Sequence, residues 1–155
     1  MTTPELTAAV ERLYAEFARY ALRKHVEGCP CCVEQAGQPV LQRVPLRKLS
    51  GDQLGLFAFK AMTTWGDVED YKHFLPRILE LSSSGEGESW PGFEWWLIAG
   101  KLKYAKFESW PAQERGAVQW FARCLWKAML TGEVSDQAED VLDLARTLGA
   151  LDPLE

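Results

Sequence analysis

The run "HVEGCPCCVEQAG" at residues 25–37 holds His25 and three of the chain's four cysteines, Cys29, Cys31 and Cys32. Thiolate and imidazole are the ligands that tetrahedral Zn²⁺ prefers. His25 with Cys29 and either Cys31 or Cys32 would supply three of them. The fourth has one histidine to come from, His73, because the chain contains only two. No second Cys-x-x-Cys and no His pair accompanies the cluster, so zinc here is an expectation resting on one short motif. The same thiols offer a second chemistry: a cysteine at the start of a helical turn is activated as a thiolate by backbone N–H groups and the local dipole. The third reading is plain structure, with small apolar cysteines filling a tight loop.

Within this run, "CPCC" resembles the Cys-Pro-x-Cys active-site tetrapeptide of glutaredoxin-like proteins, which implies reactive thiols at Cys29 and Cys32. The resemblance covers four residues. In that family the motif follows a β-strand, whereas here a helical pattern precedes it.

"TTWGDVEDYKHFLPR" places Glu69 and Asp70 four and three residues before His73. That spacing brings side chains together on one helix face, where they could bind a metal or position a general base. Asp67, Glu69 and Asp70 are also what a helix N-terminus attracts on electrostatic grounds. A third cluster is aromatic. Trp90, Trp95, Trp96 and Trp110 surround one helical segment, and adjacent Trp95 and Trp96 lie about 100° apart on a helix. Both cannot lie at the centre of one narrow core stripe, so one could be exposed or line a groove for a peptide or small apolar ligand; the other reading, and the one favoured for these tryptophans, is burial in the core. Cys124 sits among Phe121, Leu125 and Ala128 and reads as core.

The elements that must position these groups read as helices. Leu6, Val10, Leu13, Phe17 and Ala21 form an apolar stripe, with Thr3 as N-cap and Pro4 in the first turn. The stretch 25–48 is a cysteine-rich loop broken by Gly and Pro, with "PVLQRVPL" the only strand candidate. Ser50 and Gln53 form a capping-box pattern ahead of a helix. Asp67 caps the next helix, which Pro76 should kink or split. "SSSGEGES" at 82–89 reads as a flexible loop. Three further helices follow, one through "PGFEWWLIAGKLKYAKF", one ending at Gly132, and one that Ser135 caps and Gly149 ends.

A chain of 155 residues reads as a single all-α domain of about six helices, a bundle or short helical array. A net charge of −5 argues against nucleic-acid binding. No apolar run reaches the ~18 residues of a membrane span, and the N-terminus lacks the pattern of a secretory signal. A cytoplasmic setting, where thiols stay reduced, follows as the expectation. No nucleotide loop or serine-hydrolase motif occurs. The expected function is a non-enzymatic binding or interaction module, with structural zinc at the cysteine loop as an added element. The alternative is a metal- or thiol-dependent enzyme centred on His25, Cys29, Cys31, Cys32 and His73.

Overall fold

The computed structural model describes residues 3–23, 37–87, 90–132 and 138–151. It is all-α: the described residues form seven α-helices and three short 3₁₀ turns, with an isolated bridge between Ala61 and Trp65 as their only β feature. The helices are α1 (Pro4–Phe17), α2 (Gly37–Arg43), α3 (Gly51–Lys60), α4 (Val68–Ser84), α5 (Trp95–Tyr104), α6 (Ala112–Leu130) and α7 (Ala138–Thr147). Contacts group them into two compact units, Met1–Glu16 with Trp95–Glu155, and Phe17–Glu94.

In the first unit, α1 begins where Thr3 Oγ1 accepts from the Leu6 N–H at 3.0 Å. The predicted residues Leu6, Val10 and Leu13 are buried, but the helix ends at Phe17 and Ala21 is exposed. No glycine or proline stops it. The chain is instead drawn away by side-chain bonds from residues 20–23, described below. In this unit α7 packs on both α5 and α6, burying Val141, Leu144 and Ala145. Gly149, at φ 66°, turns the chain out of α7.

In the second unit, Ser50 and Gln53 form the full reciprocal capping box of α3, and Asp67 with Asp70 does the same for α4. Pro76 neither splits nor ends α4, which runs unbroken from Val68 to Ser84. Proline removes one backbone bond; the turns on either side bury Tyr71, Phe74, Leu75, Ile78 and Leu79, and such packing outweighs local propensity. The helix also extends into the serine run expected to be loop. Ser82, Ser83 and Ser84 return their hydroxyls to the carbonyls of Ile78, Glu80 and Leu81, and Gly85 at φ 80° supplies the left-handed stop. The strand candidate at 39–46 falls instead within α2 and the start of a 3₁₀ turn, Leu46–Lys48.

Two glycines explain how α3 meets the Pro91–Phe93 turn. A Cβ on Gly55 would lie 2.5 Å from the Trp90 ring, and one on Gly92 would lie 2.6 Å from the Phe59 backbone nitrogen. Only bare backbone permits this approach.

Candidate functional site

Several side chains of the acidic–histidine segment are paired within the second unit. Asp67 and Asp70 exchange backbone N–H bonds at 2.9 Å each way, which caps α4. Arg23 then spreads across the trio: Nη1 to Asp67 Oδ2 at 2.7 Å, Nη2 to Glu69 Oε2 at 2.9 Å, and Nε 3.6 Å from Asp70 Oδ1. Burial pushes the Asp70 carboxyl up. Partial burial acts the same way on Asp67, but the Asp70 N–H and the Arg23 guanidinium prevail and hold it below its ordinary value. Lys72 donates to Tyr20 Oη at 3.0 Å. His73 Nδ1 lies 2.7 Å from the Tyr20 carbonyl oxygen; because a carbonyl only accepts, Nδ1 carries the proton. These contacts fasten residues 20–23 to the first turns of α4. They also account for the end of α1 at Phe17.

Among the described residues no group of three His, Cys, Asp or Glu side chains is arranged to hold a metal ion. His25, Cys29, Cys31 and Cys32 lie outside the described residues, so of the predicted metal ligands only His73 has a described position. Cys124 is buried in α6, as expected for a core residue.

The four predicted tryptophans separate by environment. Trp95 is buried against Phe121, with ring centroids 6.2 Å apart. Trp110 is buried and donates Nε1–H to the Ala105 carbonyl at 3.0 Å. Both belong to the core of the first unit. In the second, Trp90 is half-buried over Gly55 and donates to Asp52 Oδ1 at 2.7 Å. Trp96 alone faces water, 57% exposed. The angular argument from the adjacent pair therefore holds, with Trp95 inside and Trp96 outside.

Sequence reasoning did not find what surrounds Trp96. One turn on lies Gly100, where a Cβ would meet nothing within 4 Å. Another turn on lies Tyr104, 61% exposed. Eight residues of helix set the two rings about 12 Å apart along the axis, with bare backbone between them. Lys103 is exposed on the same side. The legible signal was the Trp-x₃-Gly-x₃-Tyr spacing, which places all three on one face. A mid-helix glycine costs about 1 kcal/mol against alanine. Among the described residues no packing contact requires it. Phe59 on α3 and Trp120 and Leu130 on α6 are the other exposed large apolar residues among those described; single exposed apolar residues are an ordinary feature of protein surfaces.

Beyond Tyr104 the first unit carries a cleft of about 390 Å³, lined by Lys103, Lys106, Phe107, Ser109, Thr147 and Leu148. Lys106 stands at φ 56°, a left-handed position where glycine is the usual occupant. Two ammonium groups suggest an anion site, but the balance opposes it. Glu108 also lines the cleft, and the C-terminal ends of α5 and α7 each contribute about half a negative charge. The lysines offset these charges and leave no net attraction.

Comparison of this chain with protein families, with curated proteins and with solved structures returns no match.

Proposed function

We propose that the protein is a non-enzymatic binding module whose contact face is the outer side of α5. The supporting observation is Trp96, 57% exposed on the side of α5 opposite buried Trp95, with bare Gly100 and exposed Tyr104 at the next two turns. Fully covering a large apolar side chain is worth roughly 1.5–3 kcal/mol, and this face holds two aromatic rings in water. A single helix surface is convex, whereas small ligands take concave sites. The partner is therefore a protein or peptide surface. We place the module in the cytoplasm; no helix among the described residues is long and apolar enough to cross a membrane.

A photo-cross-linking amino acid at position 103, exposed on the same side of α5, with a control at exposed position 113 of α6, tests this reading in cells that make the protein. A discrete adduct at position 103, absent at 113 and lost with Trp96→Ala, is the expected result. Equal labelling at the two positions contradicts it.

A second reading, zinc or thiol chemistry at His25, Cys29, Cys31 and Cys32 with His73, is favoured by one contact. With Nδ1–H given to the Tyr20 carbonyl, the His73 ring is oriented as metal-bound histidines commonly are, through the hydrogen bond of the other nitrogen. Arg23, held beside Asp67, stands two residues before His25 in the chain. Elemental analysis of untagged protein tests it: about one zinc per chain supports this reading, and metal-free protein with freely titrating thiols removes zinc.

A further inference from the structure

We infer that the cleft beyond Tyr104 is a binding site for a small zwitterion, an α-amino acid with a large apolar side chain. Its charges are the reason. Lys103, Lys106 and Glu108 all line the cleft, and among the described residues none of the three lies within ion-pair distance of another or of any other charged group. An ion of one sign meets both signs there and gains nothing. A zwitterion presents its carboxylate to the two ammonium groups, and its own ammonium to Glu108 and the C-terminal ends of α5 and α7. Every charge then finds its opposite. The volume of about 390 Å³ lies at the small end of ligand pockets, the size for a single such molecule. Buried Phe107 and Leu148 supply the apolar wall, against which the ligand's side chain leaves water. Small-ligand sites have this composition, apolar walls with a few polar groups that fix orientation.

The backbone supplies a second, independent observation. Lys106 stands at φ 56°, where the Cβ of an L-residue crowds its own backbone and glycine is the easier occupant. The Lys106 carbonyl is held there twice, accepting the Ser109 N–H at 2.8 Å and the Ser109 hydroxyl at 2.7 Å. A non-glycine residue kept in that region by its surroundings is characteristic of ligand sites. Here the strained residue is one whose side chain lines the cleft. Glycine would relieve the strain but remove the ammonium. The Ser109 hydroxyl gives its proton to Lys106, so its oxygen can still accept from the ligand's ammonium.

A ¹H–¹⁵N NMR titration of the full chain with L-phenylalanine tests the inference. The expected result is saturable movement of the amides of residues 103–109 and 147–148, which line the cleft, at millimolar ligand. Hydrocinnamate and phenethylamine carry the same ring with one charge each, and both bind more weakly. Glu108→Gln and Lys106→Asn each weaken L-phenylalanine by about two- to fivefold, the range for one exposed ion pair. Asparagine is chosen at 106 because it tolerates the left-handed backbone. Glu108→Gln leaves hydrocinnamate, which has no ammonium, bound no more weakly than before. Both positions are exposed, and an unchanged unfolding midpoint shows that the variants fold. Absence of saturable shifts at these amides up to the solubility limit of L-phenylalanine overturns the inference. So does hydrocinnamate binding as tightly as L-phenylalanine, which would make the cleft a plain anion site, or an affinity that neither substitution changes.

Discussion

Replacing Gly100 by alanine stabilises the folded chain. Position 100 lies inside α5, five residues from its first and four from its last, so a substitution there takes close to the full helix-interior effect. Its φ is not in the left-handed region, and a Cβ would meet nothing within 4 Å. No packing cost then offsets the propensity gain of about 0.8–1 kcal/mol. For a chain of this size that gain raises the thermal midpoint by about 2–4 °C. Two other glycines calibrate the reasoning. At Gly116 the new methyl lies 3.2 Å from Arg12 Nη2, the far end of a flexible side chain, so part of the gain survives. At Gly92 it lies 2.6 Å from the Phe59 backbone nitrogen and 2.8 Å from the Gly55 carbonyl oxygen, neither of which can move aside, and the loss is about 1–3 kcal/mol or more. Urea unfolding of dilute protein, followed by far-UV circular dichroism, ranks the three variants. A destabilised Gly100→Ala would refute the argument, because it would mean that the glycine serves the fold itself.

The adjacent tryptophans should respond oppositely in the same assay: Trp95→Ala loses about 3–5 kcal/mol as a core truncation, while Trp96→Ala stays within about 0.5 kcal/mol. Comparable losses would mean that the two sides of α5 are wrongly assigned. Asp67, held below its ordinary pKa, contributes stability that is present above its unfolded value and is lost as pH falls through its folded one. Asp70, pushed up by burial, acts in the reverse sense, its contribution being present in acid and lost as pH rises through the folded value. Carboxyl-carbon NMR should show the Asp67 midpoint rising in Arg23→Ala, and an unmoved midpoint would mean that the guanidinium does not hold it. Burial pushes the Cys124 thiol up, and nearby Glu5 adds to the effect. Alkylation of native protein in mildly alkaline buffer, mapped by peptide mass spectrometry, should leave Cys124 unmodified until denaturant is added; rapid labelling would place it at the surface.

What was legible in the sequence is what neighbouring residues decide between themselves. Thr3, the Ser50–Gln53 box and Asp67 announce helix starts because a cap and its partner lie three residues apart. That Trp95 and Trp96 point apart follows from helix geometry alone, whereas which of them is buried depends on packing against Phe121. The features missed depend on distant parts of the chain. Arg23 finds Asp67 and Glu69 across 44 and 46 residues, so the carboxylates beside His73 also fasten the chain after α1 to the start of α4. Pro76 survives inside α4 because its flanking turns bury large side chains, and no window on the local sequence reports that burial. Gly100 reads as a weak point in a helix until its empty surroundings and its two exposed aromatic neighbours are seen together.

The most direct test of the α5 face is ¹H–¹⁵N NMR of the labelled native chain in dilute buffer and in concentrated cell lysate, following the seven tryptophan indole N–H signals. The account predicts that the Trp96 indole and the backbone amides of 96–104 shift or broaden together in lysate, while the buried Trp95 and Trp110 indoles hold still. Shifts spread evenly over the chain, or confined to the segment of Tyr20, Lys72 and His73, would contradict it.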